Sequence, residues 1–224
     1  IIFNEEASTV IIEDIMIKDV ITLTQDATIE QAIETVKEKK IRHIPIVDDN
    51  QNLVGLLCDV DIRSATPSIF RIDEYKDDLL KPVSEIMVKE VLTAHPLDFV
   101  EEVAYTFYDR RISCMPVVSN QRLIGIVTET DLLHTYVELT GANQPGSQIE
   151  IKVRNRPGTL SEIAAIIKRM NANVNSIFIY PFKDDPAVKV LVLRVQTMNP
   201  TKIIDSLSSE GFEVIWPAGP EMES

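Results

Sequence analysis

The sequence predicts a mixed α/β (α+β) chain of three units: two copies of a β-α-β-β-α repeat, followed by one ferredoxin-like β-α-β-β-α-β sandwich. Two observations lead to this prediction. A shift of 71 residues aligns "IMIKDVITL" (15–23) with "IMVKEVLTA" (86–94), so the first part of the chain contains an internal repeat. After the Gly- and Pro-containing stretch at 138–148, the repeat ends and a different order of apolar segments begins.

Each copy contains one amphipathic helix, because apolar residues recur in both copies at spacings of three and four. They are Ile29, Ala32, Ile33 and Val36 in the first copy, and Val100, Val103, Ala104 and Phe107 in the second. Thr28 with Gln31, and Asp98 with Glu101, have the spacing of a capping box. We therefore expect the two helices to begin directly after Thr28 and Asp98.

A buried strand runs into a helix twice, at "GLLCDVDIR" (55–63) and at "GIVTETDLL" (125–133). The two stretches align under a shift of 70 residues, which places Asp61 on Asp131 but Cys58 on Thr128. A unit that buries its sheet against a copy of itself needs no ligand. The repeat therefore predicts a paired fold and leaves the role of these two carboxylates open.

The third unit follows in ferredoxin-like order: a strand, a turn at "RNRPGTL", a helix, a hairpin, a second helix and a last strand. We place the first copy at 9–66, the linker and second copy at 67–142, and the third unit at 147–217. An open sheet of about four strands presents an edge that can pair with another chain. The sequence therefore predicts a homodimer or a higher homo-oligomer.

Composition and motifs exclude several classes of function. The net charge of −13 repels polyanions, so we expect no nucleic-acid partner. No apolar run approaches the ~20 residues that span a bilayer, and no signal-peptide pattern is present, so we expect no membrane partner and a cytoplasmic location. Cys58 and Cys114 form no Cys-x-x-Cys pair, and the three histidines show no ligand spacing. We therefore expect that the chain has no metal site and is not an enzyme.

The two copies resemble a tandem pair of CBS domains, through "RHIPIVDDNQNLVGLLCDVDI" and "SCMPVVSNQRLIGIVTETDLL". The third unit resembles an ACT domain, through "VRNRPGTLSEIAAII" followed by "NVNSI". Their combination is similar to regulators of acetoin utilisation. The resemblance implies a non-enzymatic regulatory protein in acetoin and butanediol use, with an adenine nucleotide such as AMP, ADP or ATP as its regulatory ligand and no other cofactor. It also implies that the ACT domain mediates dimerisation or senses a small acid or amino acid.

The resemblance places the nucleotide at Thr128 and Asp131 in the second copy. An ionised carboxylate can accept both hydroxyl protons of a ribose diol, and a threonine hydroxyl can donate to a phosphate oxygen. We expect main-chain atoms around Thr93 and at 113–116 to bind the adenine edge in an apolar slot. The full candidate set is Thr93, Ser113, Cys114, Met115, Pro116, Thr128 and Asp131.

The first copy differs from the second at one of the positions expected to face the ligand. Cys58 stands where the second copy has Thr128, and a thiol is a weak donor, so we predict a weaker nucleotide site there. Its candidate residues are Thr22, Arg42, His43, Ile44, Cys58, Asp61 and Arg63. In both copies, however, an aspartate three residues after the strand end also has the spacing of a helix cap, and capping remains the alternative.

The turn "NRPGTL" supplies the candidate residues of the third unit, for a ligand or for an interface. They are Asn155, Pro157, Gly158, Thr159 and Leu160. Asn155 could bind the amino or carboxylate group of a small acid. The alternative is a tight turn with Pro157 near the start of the helix. For the whole chain, the alternative function is a ligand-independent dimeric adaptor.

Overall fold

The computed structural model describes residues 10–65 and 76–217, and the chain divides after Leu133 into two compact units. The helices of the first unit are α1 (Ile12–Ile15), α2 (Ile29–Lys39), α3 (Asp59–Ala65), α4 (Lys76–Leu79) and α5 (Val100–Arg110). Its strands are β1 (Leu23–Thr24), β2 (His43–Val47), β3 (Leu53–Cys58), β4 (Cys114–Ser119) and β5 (Arg122–Thr128). A 3-10 turn lies at Val83–Glu85, and α6 (Glu129–Thr140) crosses the division.

The first unit contains the predicted repeat, with equivalent register in its two sheets. β1 pairs in parallel with β2, which pairs antiparallel with β3, and β4 pairs antiparallel with β5. His43 lies opposite Cys58 in the first copy, and Cys114 lies opposite Thr128 in the second. These are the positions that the shifts of 71 and 70 residues align. The fold class predicted for this part of the chain is therefore confirmed.

The two copies exchange the segments that precede them. Ile12 is buried with residues of the second copy, whereas Val83 is buried with residues of the first. Backbone hydrogen bonds follow the same exchange: the N–H of Ile17 donates to the carbonyl of Ile126 over 2.9 Å, and the N–H of Val88 donates to that of Leu56 over 2.9 Å.

The exchange bears on the predicted domain ranges. The ranges 9–66 and 67–142 describe repeats along the chain but do not coincide with the two hydrophobic cores, since each core includes a segment from the other range. The boundary between residues 66 and 67 lies outside the described residues.

Close packing of the exchanged segments requires glycine in both copies. A Cβ atom on Gly55 would lie 2.4 Å from Sδ of Met87, and one on Gly125 would lie 2.5 Å from Sδ of Met16. Separations below 3 Å are not tolerated without movement. Each repeated glycine therefore contacts the methionine of the "IM" pair that precedes the other copy.

The two expected capping boxes differ in the structure. Thr28 caps α2: its N–H donates to Oε1 of Gln31 over 2.9 Å, and the N–H of Gln31 donates to Oγ1 of Thr28 over 3.2 Å. The prediction for Asp98 was wrong, because α5 follows Phe99 and no side chain caps it. Oδ2 of Asp98 instead accepts from the N–H of His95 over 2.7 Å, so the preceding turn takes up this carboxylate.

The second unit is the predicted ferredoxin-like sandwich. Its elements are β6 (Ser147–Arg154), α7 (Thr159–Arg169), β7 (Val174–Phe182), β8 (Asp185–Val195), α8 (Thr201–Ser209) and β9 (Glu213–Trp216). The antiparallel sheet has the order β7-β8-β6-β9. One sheet face and both helices bury a single core that includes Ile151, Ile163 and Leu207.

The stretch between the copies and the sandwich is held by the second unit. α6 ends at Thr140 and is followed by Gly141, whose φ of 63° is the left-handed conformation that terminates many helices. Oγ of Ser176 donates to the carbonyl of Thr140 over 2.7 Å, and Nη2 of Arg194 donates to that of Gln144 over 3.1 Å. Within residues 10–65 and 76–217, no helix combines the length and apolar character needed to cross a membrane.

Candidate functional site

Both strand-to-helix junctions place their aspartate at the start of a helix. Oδ2 of Asp131 accepts from the N–H of Thr128 over 2.8 Å and from Oγ1 of Thr128 over 2.7 Å. Oδ2 of Asp61 accepts from the N–H of Cys58 over 2.8 Å. The capping alternative is therefore realised in both copies. Both carboxylates remain half-buried.

The hydroxyl of Thr128 does not point into open space, where a phosphate could accept its proton. It donates to Asp131, whereas the expectation was donation to a phosphate. A hydroxyl rotates freely and can accept two hydrogen bonds. A ligand at this junction would therefore have to redirect the Thr128 proton or use its oxygen as an acceptor.

The residues expected near the adenine lie on β4 and beside it. The carbonyl of Pro116 accepts from the N–H of Ala94 over 3.0 Å, so the exposed Thr93 lies next to β4. The Met115 side chain is buried in the hydrophobic core of the second copy, and only its main chain can contact a ligand. Ser113 is half-buried at the start of β4.

The first copy repeats this arrangement with different side chains. Thr22 is half-buried before β1, in the position that Thr93 has in the second copy, and Ile44 is fully buried in the core. Arg42 is exposed beside His43. Nη2 of Arg63, a candidate residue of this weaker site, forms an ion pair with Oδ2 of Asp59 over 2.7 Å on the same helix.

His43, Cys58 and Cys114 meet in the space between the two copies. One ligand atom from each residue lies within 4.8 Å of the other two, and Cys114 is buried while the others are half-buried. Nε2 of His43 lies 2.9 Å from Oγ of Ser113. This cluster was not predicted, because the two cysteines are far apart along the chain. The repeat could have indicated it, since it aligns His43 with Cys114 across the two copies.

Burial and hydrogen bonding shift the titration of this cluster. The Cys114 thiol donates to the Cys58 sulfur, which lowers the pKa of Cys58. The same hydrogen bond, together with burial, raises the pKa of Cys114. Burial and the nearby Arg42 guanidinium lower the pKa of His43, so its imidazole is held in the neutral form. The cluster therefore offers one acidified thiol and one neutral imidazole.

The predicted residues of the third unit form a turn at the start of α7. Gly158 has a φ of 90° and directly precedes the helix, and Oγ1 of Thr159 donates to the carbonyl of Arg156 over 3.1 Å. The N–H of Asn155 donates to the carbonyl of Ala187 over 2.9 Å. Pro157 is exposed in this turn. The tight-turn alternative therefore accounts for these contacts.

Leu160 belongs to a different feature, an apolar groove between α7 and the start of β7. The side chain is 43% exposed. The groove encloses about 270 Å³ and is also lined by Ile163, Ala164, Ile167, Val174 and Ile177. A small ligand of this unit would find more apolar contact here than at Asn155. Its β7 wall was not predicted, because it depends on how the strand packs beside the helix.

Comparison with known families follows the same division of the chain. Residues 12–68 and 83–138 match the CBS domain, and residues 147–208 match the ACT domain. The chain belongs to the CBS-domain family. This CBS-domain protein carries a tandem CBS pair followed by a C-terminal ACT domain.

Solved structures similar to this CBS-domain protein include the protein AcuB from Vibrio cholerae, named for acetoin utilization. The two are 27% identical with a TM-score of 0.53, over 61% of this chain and 96% of AcuB. The CBS pair of the protein MJ0100, in complex with 5′-methylthioadenosine and S-adenosyl-L-methionine, is 31% identical with a TM-score of 0.50, over 61% of this chain and 99% of that pair. CBS pairs homologous to this one therefore bind adenosine-containing ligands.

Sequence relatives of this CBS-domain protein include a CBS domain-containing protein of Dictyostelium discoideum, 32% identical over 62% of this chain and 99% of that protein. They also include the homoserine O-acetyltransferase of Methanohalobium evestigatum, 34% identical over 58% of this chain. The chain spans only 25% of the length of that enzyme.

Proposed function

We propose that this protein is a non-enzymatic regulatory module that binds an adenine nucleotide through its CBS pair, at the junction of β5 with α6. The observation that carries the proposal is the half-buried pair of Thr128 and Asp131 at the start of a long helix. A carboxylate there can accept both protons of a ribose diol, and the helix start offers N–H groups and a positive dipole end to a phosphate. The adenosine ligands bound by the CBS pair of MJ0100 support the same class of ligand.

We propose that the two junctions differ in affinity, with the first one weaker. Cys58 replaces the Thr128 hydroxyl with a thiol, a poor donor that already accepts a hydrogen bond from Cys114. A hydrogen bond to a charged group contributes about 1.5–3 kcal/mol. Its loss would separate the two affinities by about one to two decades.

Calorimetry on the full chain with AMP, ADP, ATP, S-adenosylmethionine and 5′-methylthioadenosine tests this function. We expect one dominant adenylate site per chain. Asp131→Asn should weaken it by about tenfold or more, because the amide keeps one oxygen for the cap but replaces the other with an NH2 group, which cannot accept diol protons. Asp61→Asn is the matched control and should change the dominant site little.

Three outcomes would contradict the proposal. Two sites of equal affinity would contradict the predicted difference between the two junctions. Loss of binding on Asp61→Asn but not on Asp131→Asn would place the dominant site in the first copy. The absence of binding by all five compounds would favour the ligand-independent adaptor instead.

We also propose a homodimer or higher homo-oligomer, formed through the ACT domain, acting in acetoin utilisation as the name of the similar AcuB implies. β7 is an edge strand, and it exposes Ile177, Phe178, Ile179 and Tyr180. An exposed apolar edge is a surface that pairing with a second chain would cover. Sedimentation of the full chain at micromolar concentration should show no monomer, and a monomeric boundary would contradict this.

A further inference from the structure

We propose that His43, Cys58 and Cys114 bind a thiophilic divalent cation, with Zn²⁺ as the natural candidate, in the space between the two CBS copies. This site goes beyond the nucleotide-binding function and does not depend on it. The cation would be held by a histidine and a cysteine of the first copy and by a cysteine of the second.

The distances suit a tetrahedral metal site. The three ligand atoms lie within 4.8 Å of one another. In a zinc site with Zn–S near 2.3 Å and Zn–N near 2.0 Å, ligand atoms are about 3.3–3.8 Å apart. The side chains would therefore need to close in by about 1.5 Å or less, which rotations about their χ angles can provide.

The ligand types select the metal. Two thiolates and one imidazole are soft and borderline donors, which favour Zn²⁺ over Mg²⁺ or Ca²⁺. Three protein ligands leave a fourth position for water, as in zinc sites that keep one position open. Binding converts two thiols to thiolates and releases two protons to solvent, and the two negative sulfurs neutralise the charge of the cation.

Regular strands hold the three residues in place. His43 begins β2 and lies directly opposite Cys58, the last residue of β3, while Cys114 begins β4. Ligands on strands keep their relative positions better than ligands on loops. With Nδ1 of His43 as the metal ligand, Nε2 keeps the Ser113 hydroxyl, 2.9 Å away, as an outer-shell partner of the kind that orients metal-bound histidines.

The surrounding charge also favours a cation. Three carboxylates act on His43 electrostatically, those of Asp59, Asp61 and Glu129, and one guanidinium, that of Arg42, opposes them. With the Arg63 guanidinium that pairs with Asp59, three carboxylates face two guanidiniums, so the formal charge of these groups is −1 before the thiols ionise. A doubly charged cation at this point is therefore attracted by its surroundings as well as by its ligands.

The first experiment titrates the reduced full-length protein with Co²⁺ alone, without nucleotide. We expect one Co²⁺ per chain, with the thiolate-to-cobalt charge-transfer band and the intense d–d bands of a tetrahedral site. Addition of Zn²⁺ should bleach both. His43→Asn, Cys58→Ser and Cys114→Ser should each weaken Zn²⁺ binding by more than about a hundredfold, beyond the 10–100-fold effect of losing an outer-shell partner.

Two control variants separate this site from its alternatives. His134→Asn removes an exposed histidine of α6 and should leave metal binding unchanged. Asp131→Asn should also leave it unchanged, while it weakens the nucleotide, so that failure of one proposal is distinguishable from failure of the other. Because Cys114 is buried and its variant could misfold, a second measurement uses the unmodified chain: Zn²⁺ should protect both thiols from alkylation, as counted by intact mass.

Specific results would overturn the proposal. They are a cobalt spectrum without the charge-transfer band, or metal binding that survives Cys114→Ser in a folded protein. A third is alkylation of both thiols at the same rate with and without Zn²⁺. A Cys58–Cys114 disulfide whose reduction yields no metal binding would assign the pair to redox chemistry instead.

Discussion

Ile12→Ala should lower the free energy of unfolding of the CBS pair by about 2–5 kcal/mol, the usual range for truncating a buried isoleucine. Ile12 precedes every strand of both copies, yet its side chain is fully buried in the core of the second copy, with Val103 and Phe107. The loss would therefore appear in a core whose other buried members, apart from Ile15, lie more than eighty positions further along the chain.

Urea unfolding with two probes measures this effect. Far-UV circular dichroism follows the whole chain, and the single tryptophan, Trp216, reports on the ACT domain. We expect Ile12→Ala to shift part of the dichroism transition while the Trp216 transition stays in place. Leu207→Ala, in the ACT core, should do the reverse.

Ile17→Ala is the matched control, since this isoleucine lies in the same segment but is 45% exposed. It should cost less than about 1 kcal/mol, because nearly half of its surface already lies in water and its truncation leaves no closed cavity. Equal losses for Ile12 and Ile17 would contradict the exchanged core.

Gly125→Val should destabilise the CBS pair by about 1–3 kcal/mol, the usual cost of overpacking a buried site. The new Cβ atom would lie 2.5 Å from Sδ of Met16 and 3.2 Å from the carbonyl oxygen of Ile17. Shortening the methionine should relieve the first contact and leave the second. We therefore expect the double variant Gly125→Val with Met16→Ala to lose less free energy of unfolding than the sum of the losses of the two single variants.

A double-mutant cycle from urea unfolding measures this coupling. The matched control pairs Gly125→Val with Met87→Ala, because Met87 makes the same contact with Gly55 in the other copy. That combination should give additive losses. Coupling of Gly125 to Met87 instead of Met16 would mean that the preceding segments are not exchanged.

Much of the fold could be predicted because it depends on local periodicity. The helix spacing, the order of the elements and the equivalence of Cys58 with Thr128 follow from neighbouring residues and from the repeat. The exchange of segments could not be predicted. A shift of the sequence identifies which stretches are alike, but it does not show on which copy each stretch packs. Asp98 shows a local limit: the cap of α5 competes with the turn at His95, and the turn prevails.

The candidate site divides in the same way. Thr128 and Asp131 are three residues apart, so their contact could be predicted, although their spacing suits a cap and a ligand site equally. The contact of Cys58 with Cys114 was not predicted, because it depends on how the two copies pack against each other and the repeat shows only that the positions are equivalent. The ion pair of Arg63 with Asp59 was not predicted either, because it depends on the rotamer that Arg63 adopts.

The pairing of Ile17 with Ile126 also affects how the chain is completed during translation. A ribosome adds about 5–20 residues per second, so Ile17 is synthesised roughly 5–20 s before its partner strand. Residues 83–88 complete the first core earlier, when the second sheet does not yet exist. During that interval Ile12 and Ile15 have no surface to cover them. A pause in translation between residues 88 and 126 would prolong their exposure to other nascent chains.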